Sequence, residues 1–268
     1  MEYLSRFTNI ADRILYKALF CREFEKIIQI LSKRGIVECP IYLSIGQELP
    51  PAALSELCPN VKLFAQHRAH SYFLCFGGTP RELIAKLKCR EGSASIQIKG
   101  KMYGHSGLMG DQAPIAVGAA LAGMSPVVCV LGDASGEEDY VLGAIGFASK
   151  RKLPIMFLIE DNNLSILTEK SVRRNWELSD VGIALGLTKS LNSSDDLLEL
   201  MDKMKETLSS MPSLLNVGVT RLCWHAGNNM NEENLIDRLD SLINKSNQKD
   251  LIRKYVSIEL GDLLNEFS

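Results

Sequence analysis

The sequence predicts an α/β protein in which a parallel β-sheet is flanked by helices. Two short apolar runs, residues 127–131 and 155–159, are unbroken rather than alternating, which is typical of strands buried on both faces of a parallel sheet. Residues 139–149 lie between these runs and have the character of a crossover helix, so the three segments predict a βαβ unit. With 46% hydrophobic residues in 268, the chain can form one large core.

Helical periodicity extends the prediction to both ends of the chain. Further predicted elements are helices over residues 4–33, 80–87, 114–122, 195–211 and 232–267, a long loop over 91–110, and a strand over 214–222. The sequence contains no internal repeat and no linker-like tract. We therefore expect a single domain over residues 1–268, with a helical arm over about 1–35 and a helical tail over about 232–268.

Charge and composition exclude several classes of partner. Lysine and arginine (30) nearly balance aspartate and glutamate (32), for a net charge of −2, which predicts no binding to nucleic acid or to an anionic membrane. The uncharged stretch 112–132 has the length of a membrane span, but Pro114, Gly118 and Gly123 interrupt it. A buried helix, a turn and a strand are expected there instead. Seven cysteines without a CxxC pair, and an N-terminus without a secretory signal, predict a reducing, cytoplasmic setting.

Polar residues follow each of the two predicted strands of the βαβ unit. Gly132-Asp133-Ala134-Ser135-Gly136 comes after the first strand, and Glu160-Asp161-Asn162-Asn163 comes after the second. Ligands of open parallel sheets bind beyond the carboxyl ends of the strands, and carboxylate and amide oxygens are ligands that suit Mg²⁺. Each cluster taken alone is also an ordinary turn sequence, so both interpretations remain open on these residues alone.

Several motifs, taken in order along the chain, resemble the alpha subunits of thiamine diphosphate-dependent 2-oxo acid dehydrogenases (the pyruvate, branched-chain and acetoin enzymes). The Gly-Asp to Asn pair has the spacing of the thiamine diphosphate motif. The other matching segments are Leu-Ser-Ile-Gly-Gln-Glu at 43–48, Gln-His-Arg-Ala-His at 66–70, the glycine-rich stretch 104–114, the segment 153–168, and Arg-Leu-Cys-Trp-His at 221–225. The resemblance covers about residues 43–225 and implies the thiamine diphosphate-binding fold.

The resemblance assigns roles to individual residues. It implies thiamine diphosphate and Mg²⁺ as cofactors, with the Asp133 and Asn162 side chains and the Leu164 carbonyl as metal ligands. Diphosphate contacts are implied for Arg68 and for the backbone of Ala134 and Ser135. The remaining implied contacts are the backbone of Gly107 and Met109 at the aminopyrimidine ring, His67 in place of a tyrosine that contacts the cofactor, and His225 as the catalytic histidine, which contacts the diphosphate and stabilises charge on the substrate.

At some positions this sequence departs from the family pattern, and the roles of the family residues do not carry over there unchanged. Ala134 replaces a glycine, a change that costs little unless its φ is positive. Ala226 replaces a serine that is phosphorylated in mammalian relatives, so we expect that regulation to be lacking. Roles for His67, His70 and His105 stay open between structure and function.

The resemblance implies an enzyme that decarboxylates a small 2-oxo acid and passes on the acyl group, with no assignment of which 2-oxo acid. In the family, a beta subunit supplies the glutamate that activates the cofactor, and two alpha and two beta chains form a heterotetramer. The small-residue helix 114–122 suits close packing against such a partner, or packing within the chain's own core. A lipoyl acyltransferase is a further expected partner. Two alternatives remain: a carboligase that transfers the acyl carbanion to a carbonyl acceptor such as a sugar, favoured by Ala226 and by the few residues after His225, and a non-catalytic cofactor-binding or scaffold subunit.

Overall fold

The computed structural model describes residues 1–65, 67–88, 96–104, 107–225 and 235–267. The chain divides into two compact units. The first, called here the helical unit, comprises Met1–Glu56, Arg68–Ile96 and Thr220–Ser268. The second, called the sheet unit, comprises Leu57–His67 and Gln97–Val219. The expectation of a single domain over 1–268 stays a prediction.

A six-stranded sheet forms the centre of the sheet unit. Its strand order is β2-β1-β3-β4-β8-β7, and all five neighbouring pairs are parallel. This confirms the predicted α/β class. The strands are β1 (Lys62–Phe64), β2 (Met102–Tyr103), β3 (Val127–Gly132), β4 (Ile155–Asp161), β7 (Lys189–Ser193) and β8 (Ser213–Gly218), and a separate antiparallel hairpin is formed by β5 (Leu164–Ser165) and β6 (Thr168–Glu169).

The two central strands are buried on both faces, as their unbroken apolar runs predicted. In β4, Phe157 and Ile159 belong to one continuous core cluster, while Met156 and Leu158, which point to the opposite face, are equally buried. The helices of this unit are α5 (Gln112–Leu121), α6 (Asp139–Arg151), α7 (Lys170–Arg173), α8 (Leu178–Ala184) and α9 (Leu197–Leu208). Helices α5 and α6 pack against each other and contribute to the same cluster, so the crossover between β3 and β4 is the predicted βαβ unit.

The helical unit is organised around α1, which Asn9 caps through its side chain. The buried residues Ile14, Ala18, Cys21 and Ile28 recur at helical spacing along one face of α1, which packs against α3, α10 and α11. The helices of this unit are α1 (Ile10–Lys33), α2 (Leu49–Leu57, which extends one residue beyond it), α3 (His70–Cys75), α4 (Pro80–Lys88), α10 (Arg238–Lys245), α11 (Lys249–Leu260) and α12 (Leu263–Phe267).

Several predicted elements differ in extent from the observed ones. The first helix begins at Ile10, since residues Leu4–Arg6 form a separate 3₁₀ turn. The predicted strand 214–222 is the strand Ser213–Gly218, so its last four residues are not part of the sheet. The predicted tail helix is three helices from Arg238 onward, because Ser246 has an extended backbone and ends the first of them. The predicted loop 91–110 contains β2 within its described part.

Among the helices in the described ranges, none is long and apolar enough to cross a membrane. The stretch 112–132 forms α5, a turn and β3, in agreement with the sequence prediction.

Candidate functional site

Asp133 and Asn162 leave adjacent strands at the same edge of the sheet. The register of β3 and β4 pairs Gly132 with Glu160, so both residues follow within two positions of one rung. Asp133 is only 2% exposed. A buried carboxylate requires a charged or hydrogen-bonding partner, and this one lies where ligands of parallel sheets bind.

The partner of Asp133 is an arginine that the sequence analysis did not identify. Arg173, the last residue of α7, places Nη2 2.5 Å from Asp133 Oδ2 and Nη1 2.5 Å from Glu137 Oε1. Burial and the nearby Asp161 carboxylate raise the pKa of Asp133, and the guanidinium of Arg173 opposes that rise. Arg173 thus supplies the positive charge that this buried carboxylate requires.

Two more cations from the same segment pair with the next carboxylate along the edge. Lys170 Nζ lies 2.8 Å from Asp161 Oδ2, and Arg174 Nη2 lies 3.8 Å from the same oxygen. The hydrogen bond from Lys170 contributes to a lowered pKa of Asp161, against the opposing effect of burial. Lys170, Arg173 and Arg174 therefore neutralise the acidic residues at the ends of β3 and β4.

Asn162 and Leu164 form a tight turn directly after β4. The Asn162 Oδ1 accepts a hydrogen bond from Leu164 N at 3.1 Å, and Asn163 between them has a φ of 64°, a conformation that asparagine adopts more readily than most residues. Leu164 then begins the hairpin through its pairing with Glu169. The turn therefore holds the Asn162 amide oxygen close to the Leu164 backbone.

Ala134 and Ser135 open a 3₁₀ turn, in which Ala134 has φ −68° and ψ −34°. Because this φ is negative, alanine can replace glycine here without backbone strain. Glu137 N donates to the Ala134 carbonyl at 3.2 Å, and Ser135 is buried. Both residues thus belong to an ordered turn immediately after Asp133.

Gly107 and Met109 lie in an exposed segment that leads into α5. The Met109 carbonyl accepts a hydrogen bond from the Tyr140 hydroxyl. At Gly110, where φ is +84°, a Cβ would lie 2.7 Å from Val141 and 3.2 Å from the Ser135 carbonyl. Only glycine allows this approach to the 3₁₀ turn. Neither the Tyr140 contact nor the close approach at Gly110 was predicted from the sequence.

The oxygen donors at the strand ends fit a divalent cation. Asp133 supplies a buried carboxylate, and Asn162 and Leu164 supply amide and carbonyl oxygens on the neighbouring strand end. Mg²⁺ takes few protein ligands and completes its octahedron with water and phosphate oxygens. Within the described ranges, no cluster of three or more His, Cys, Asp or Glu side chains is suited to a metal.

In the helical unit, Arg68 and His225 are in direct contact. Arg68 Nη2 lies 3.2 Å from His225 Nδ1, and Arg68 Nη1 donates to the Leu43 carbonyl. Burial and the positive charges of Arg68 and Arg221 lower the pKa of His225 to about 4. The structure therefore brings together two of the predicted site residues, with the imidazole neutral at ordinary pH.

The other histidines have different surroundings. His70 is completely buried, and its Nδ1 lies 3.0 Å from Oε2 of Glu25, which is also completely buried. Because each of these buried polar groups has the other as its partner, the contact gives His70 a structural role. His67 is partly exposed and belongs to the sheet unit. The motif residues Gln66, His105 and Ser106, and the Ala226 that replaces the family serine, lie outside the described residues.

Comparison with known proteins identifies the family. A family described as "Dehydrogenase E1 component" matches residues 16–255. The pyruvate dehydrogenase E1 component subunit alpha of Rickettsia bellii is 26% identical over 248 residues, which cover 84% of this chain and 73% of that protein. The mitochondrial subunit alpha of Dictyostelium discoideum is 30% identical over 162 residues (56% of this chain, 43% of that protein), and that of Zymomonas mobilis is 27% identical over 203 residues (69% and 57%).

The chain thus spans about half the length of two of these relatives and nearly three quarters of the third. Because the family match extends over nearly the whole chain, the chain belongs to the dehydrogenase E1 component family.

Proposed function

We propose that this chain is the alpha-type subunit of a thiamine diphosphate-dependent 2-oxo acid dehydrogenase, and that Asp133, Asn162 and the Leu164 carbonyl hold Mg²⁺. The observation that carries the proposal is the buried Asp133 carboxylate at the end of β3, close to the Asn162 turn that follows β4, since both come within two positions of the Gly132–Glu160 pair. The Asp133 carboxylate is buried beside Arg173, and it supplies the charged ligand that the cation of a diphosphate requires.

The proposed cofactor contacts of the other site residues follow from the chemical groups that these residues carry. The Ala134 and Ser135 backbone N–H groups are proposed to bind phosphate oxygens, and the backbone of Gly107 and Met109 to contact the aminopyrimidine ring. Arg68 is proposed to pair with the diphosphate through its planar guanidinium. His67 and His225 are proposed to contact the cofactor as well. When bound, thiamine diphosphate supplies the nucleophilic carbon and the electron sink needed to decarboxylate a 2-oxo acid.

The active enzyme is proposed to be a heterotetramer with a beta subunit, which provides the activating glutamate. Helix α5 supports this assignment. Its buried face, Ala113, Ala116 and Ala120, packs in the core of the sheet unit, while Ile115 and Leu121 on its other face are 51% and 55% exposed. The small residues thus serve the chain's own core on one face, and the exposed apolar face is available to a partner.

We propose a reducing, cytoplasmic location. The six cysteines in the described ranges are free thiols, and the Sγ atoms of Cys21 and Cys75 lie 3.7 Å apart without a bond. Such pairs persist as thiols in reducing compartments. When intact cells that contain the protein are alkylated before lysis, mass spectrometry is expected to find both Cys21 and Cys75 alkylated, as free thiols would be.

The decisive test is Mg²⁺-dependent binding of thiamine diphosphate to the chain assembled with its beta subunit, measured by titration calorimetry. Asp133→Ala is expected to abolish binding while circular dichroism stays unchanged. Asp202→Ala, on the exposed side of α9, is the matched control and should bind as the wild type does. Unchanged affinity of Asp133→Ala for thiamine diphosphate would refute the metal site. A separate assay of 2-oxo acid turnover, with lipoamide or an aldehyde as acceptor, would identify the acceptor.

A further inference from the structure

The contact between Arg68 and His225 is anchored to one short segment of the helical unit. Arg68 donates to the Leu43 carbonyl, and Cys223, two residues before His225, places its Sγ 3.6 Å from the same carbonyl. Leu222 N donates to the Ile45 carbonyl at 2.9 Å. The two functional side chains are therefore positioned by the backbone of residues 43–45.

The chemistry of the two groups determines where the imidazole proton resides. A guanidinium has five N–H donors and no acceptor. The imidazole nitrogen that faces it must therefore accept, so Nδ1 of His225, 3.2 Å from Arg68 Nη2, carries a lone pair and no proton. The proton of a neutral imidazole then lies on Nε2. An imidazolium would place an N–H against an N–H, beside a second positive charge.

We propose that Arg68 is a positioning residue that holds His225 as the neutral Nε2–H tautomer, so that His225 acts as a hydrogen-bond donor through Nε2 and not as a cationic acid. As far as it concerns the reaction, this inference rests on the proposed function.

The groups that face His225 support the neutral form. Arg221 is a second guanidinium whose charge, like that of Arg68, disfavours the imidazolium, and burial acts in the same direction. The Tyr42 ring meets the imidazole edge-on, with centroids 5.1 Å apart, and restricts its rotation. Two cations thus disfavour the charged form of His225, and the Tyr42 ring contacts the imidazole.

A fixed neutral donor has a defined use in the proposed reaction. Negative charge develops on the oxygen of a 2-oxo group when its carbon is attacked, and a preorganised N–H donor stabilises that charge without proton transfer. The Nε2–H of His225 can serve in this way, or as a donor to a phosphate oxygen, over the whole physiological pH range. A histidine with an ordinary pKa would change its charge within that range.

The tautomer can be measured on the full chain by ¹⁵N NMR with labelled histidine. The chain has four histidines, and the spectrum of His225→Gln identifies the resonances of His225. The wild type is expected to show a protonated Nε2 and an unprotonated Nδ1 at pH 7. Arg68→Leu is expected to shift the tautomer equilibrium and to raise the titration midpoint of His225, whereas Arg68→Lys, which keeps a donor-only cation, is expected to restore the Nε2–H form.

Arg81→Leu is the matched control, because Arg81 lies in the same unit on an exposed ion pair with Glu266 and should leave the His225 resonances unchanged. An Nδ1–H tautomer or an imidazolium in the wild type at pH 7 would overturn the inference, even if Arg68→Leu fails to fold. Cofactor binding to the wild-type assembly tests the proposed function separately. Normal binding with the wrong tautomer refutes only this inference, and the right tautomer without binding refutes only the proposed function.

Discussion

Arg173 Nη2 lies 2.5 Å from Asp133 Oδ2, so a cation from the chain itself occupies the carboxylate proposed to bind Mg²⁺. Arg173 belongs to α7, which follows the hairpin that begins at Leu164. The segment that begins at Leu164, one proposed metal ligand, therefore ends at Arg173, which pairs with Asp133, another proposed metal ligand. A divalent cation that binds Asp133 must compete with this guanidinium.

Replacement of Arg173 by glutamine is expected to tighten cation binding. The variant removes the competing charge but keeps a polar side chain, so Mn²⁺ affinity, measured by electron paramagnetic resonance as a substitute for Mg²⁺, should rise by about tenfold, which corresponds to about 1.4 kcal/mol. Arg151→Gln, at the far end of α6, serves as the control and should leave the affinity unchanged.

The emission of Trp176 gives a second readout of the same competition. Its ring lies 4.9 Å from the Arg174 guanidinium carbon, next to Arg173 in sequence, and Trp224→Phe removes the other tryptophan. Mn²⁺ should change this emission in the wild type and leave it unchanged in Asp133→Asn. Equal or weaker Mn²⁺ binding by Arg173→Gln would show that the ion pair does not compete with the cation.

Gly46→Ala is expected to be strongly destabilising. Gly46 has φ +95°, and a Cβ there would lie 1.9 Å from the Thr220 carbonyl and 3.0 Å from Leu222 N. The comparison is Gly35→Ala, which has φ +72° but no atom within 4 Å of its Cβ. Gly35→Ala should cost about 1–2 kcal/mol from the left-handed backbone alone, and Gly46→Ala should cost about 1–3 kcal/mol more. Urea unfolding monitored by circular dichroism measures both, and equal costs would contradict the close approach.

Much of the sheet unit was predictable because its signals are local. The runs in β3 and β4 are long and unbroken, which is typical of strands buried on both faces of a parallel sheet. Strands β1 and β2, of three and two residues, are too short to show a period. They are strands because Leu63 pairs with Val128 of β3 on one side and with Met102 of β2 on the other.

The unpredicted parts of the site depend on contacts between distant residues. Asp133 and Arg173 are forty positions apart, and nothing in the local sequence of a four-residue helix specifies which carboxylate its arginine reaches. Outside the site, Arg22 likewise pairs with two residues distant in sequence, Glu48 and Asp237. The glycine at position 110 was the one local signal in the sequence, since a glycine before a helix of small residues often marks a close backbone approach.

Acid is expected to destabilise the wild type through His225. Burial, Arg68 and Arg221 lower the pKa of His225 to about 4 in the folded chain, whereas the unfolded value is about 6.5. Between these values the unfolded state binds more protons, so stability falls as pH decreases from about 6.5 to 4. Urea midpoints at pH 7 and pH 5 should therefore differ more in the wild type than in His225→Gln, where no imidazole titrates. Parallel changes in both proteins would contradict the lowered pKa.

His225 is also expected to contribute directly to turnover. In the assembled enzyme, His225→Ala should lower kcat by about 10²- to 10³-fold while thiamine diphosphate stays bound, because one preorganised donor is lost. His225→Gln retains an N–H donor and should recover part of that loss. Steady-state kinetics with a 2-oxo acid provide the measurement, and a kcat within twofold of the wild type for His225→Ala would make the histidine structural.

The exposed face of α5 is expected to be the part of this chain that the beta subunit covers. A Cβ at Gly118 meets no atom within 4 Å, so Gly118→Leu should leave the stability of the isolated chain within about 0.5 kcal/mol of the wild type. A leucine there would separate closely packed partners, and affinity for the beta subunit should fall by tenfold or more, which is about 1.4 kcal/mol.

Analytical ultracentrifugation of mixtures of the two subunits measures the affinity, and thermal melting of the chain alone verifies the fold. Lys205→Leu, an apolar substitution on the exposed side of α9, controls for added surface hydrophobicity and should assemble normally. Since the activating glutamate is proposed to come from the beta subunit, Gly118→Leu should lose turnover in proportion to lost assembly, and excess beta subunit should restore it. Full assembly by Gly118→Leu would place the interface elsewhere, and substantial turnover by the isolated wild-type chain would refute the divided site.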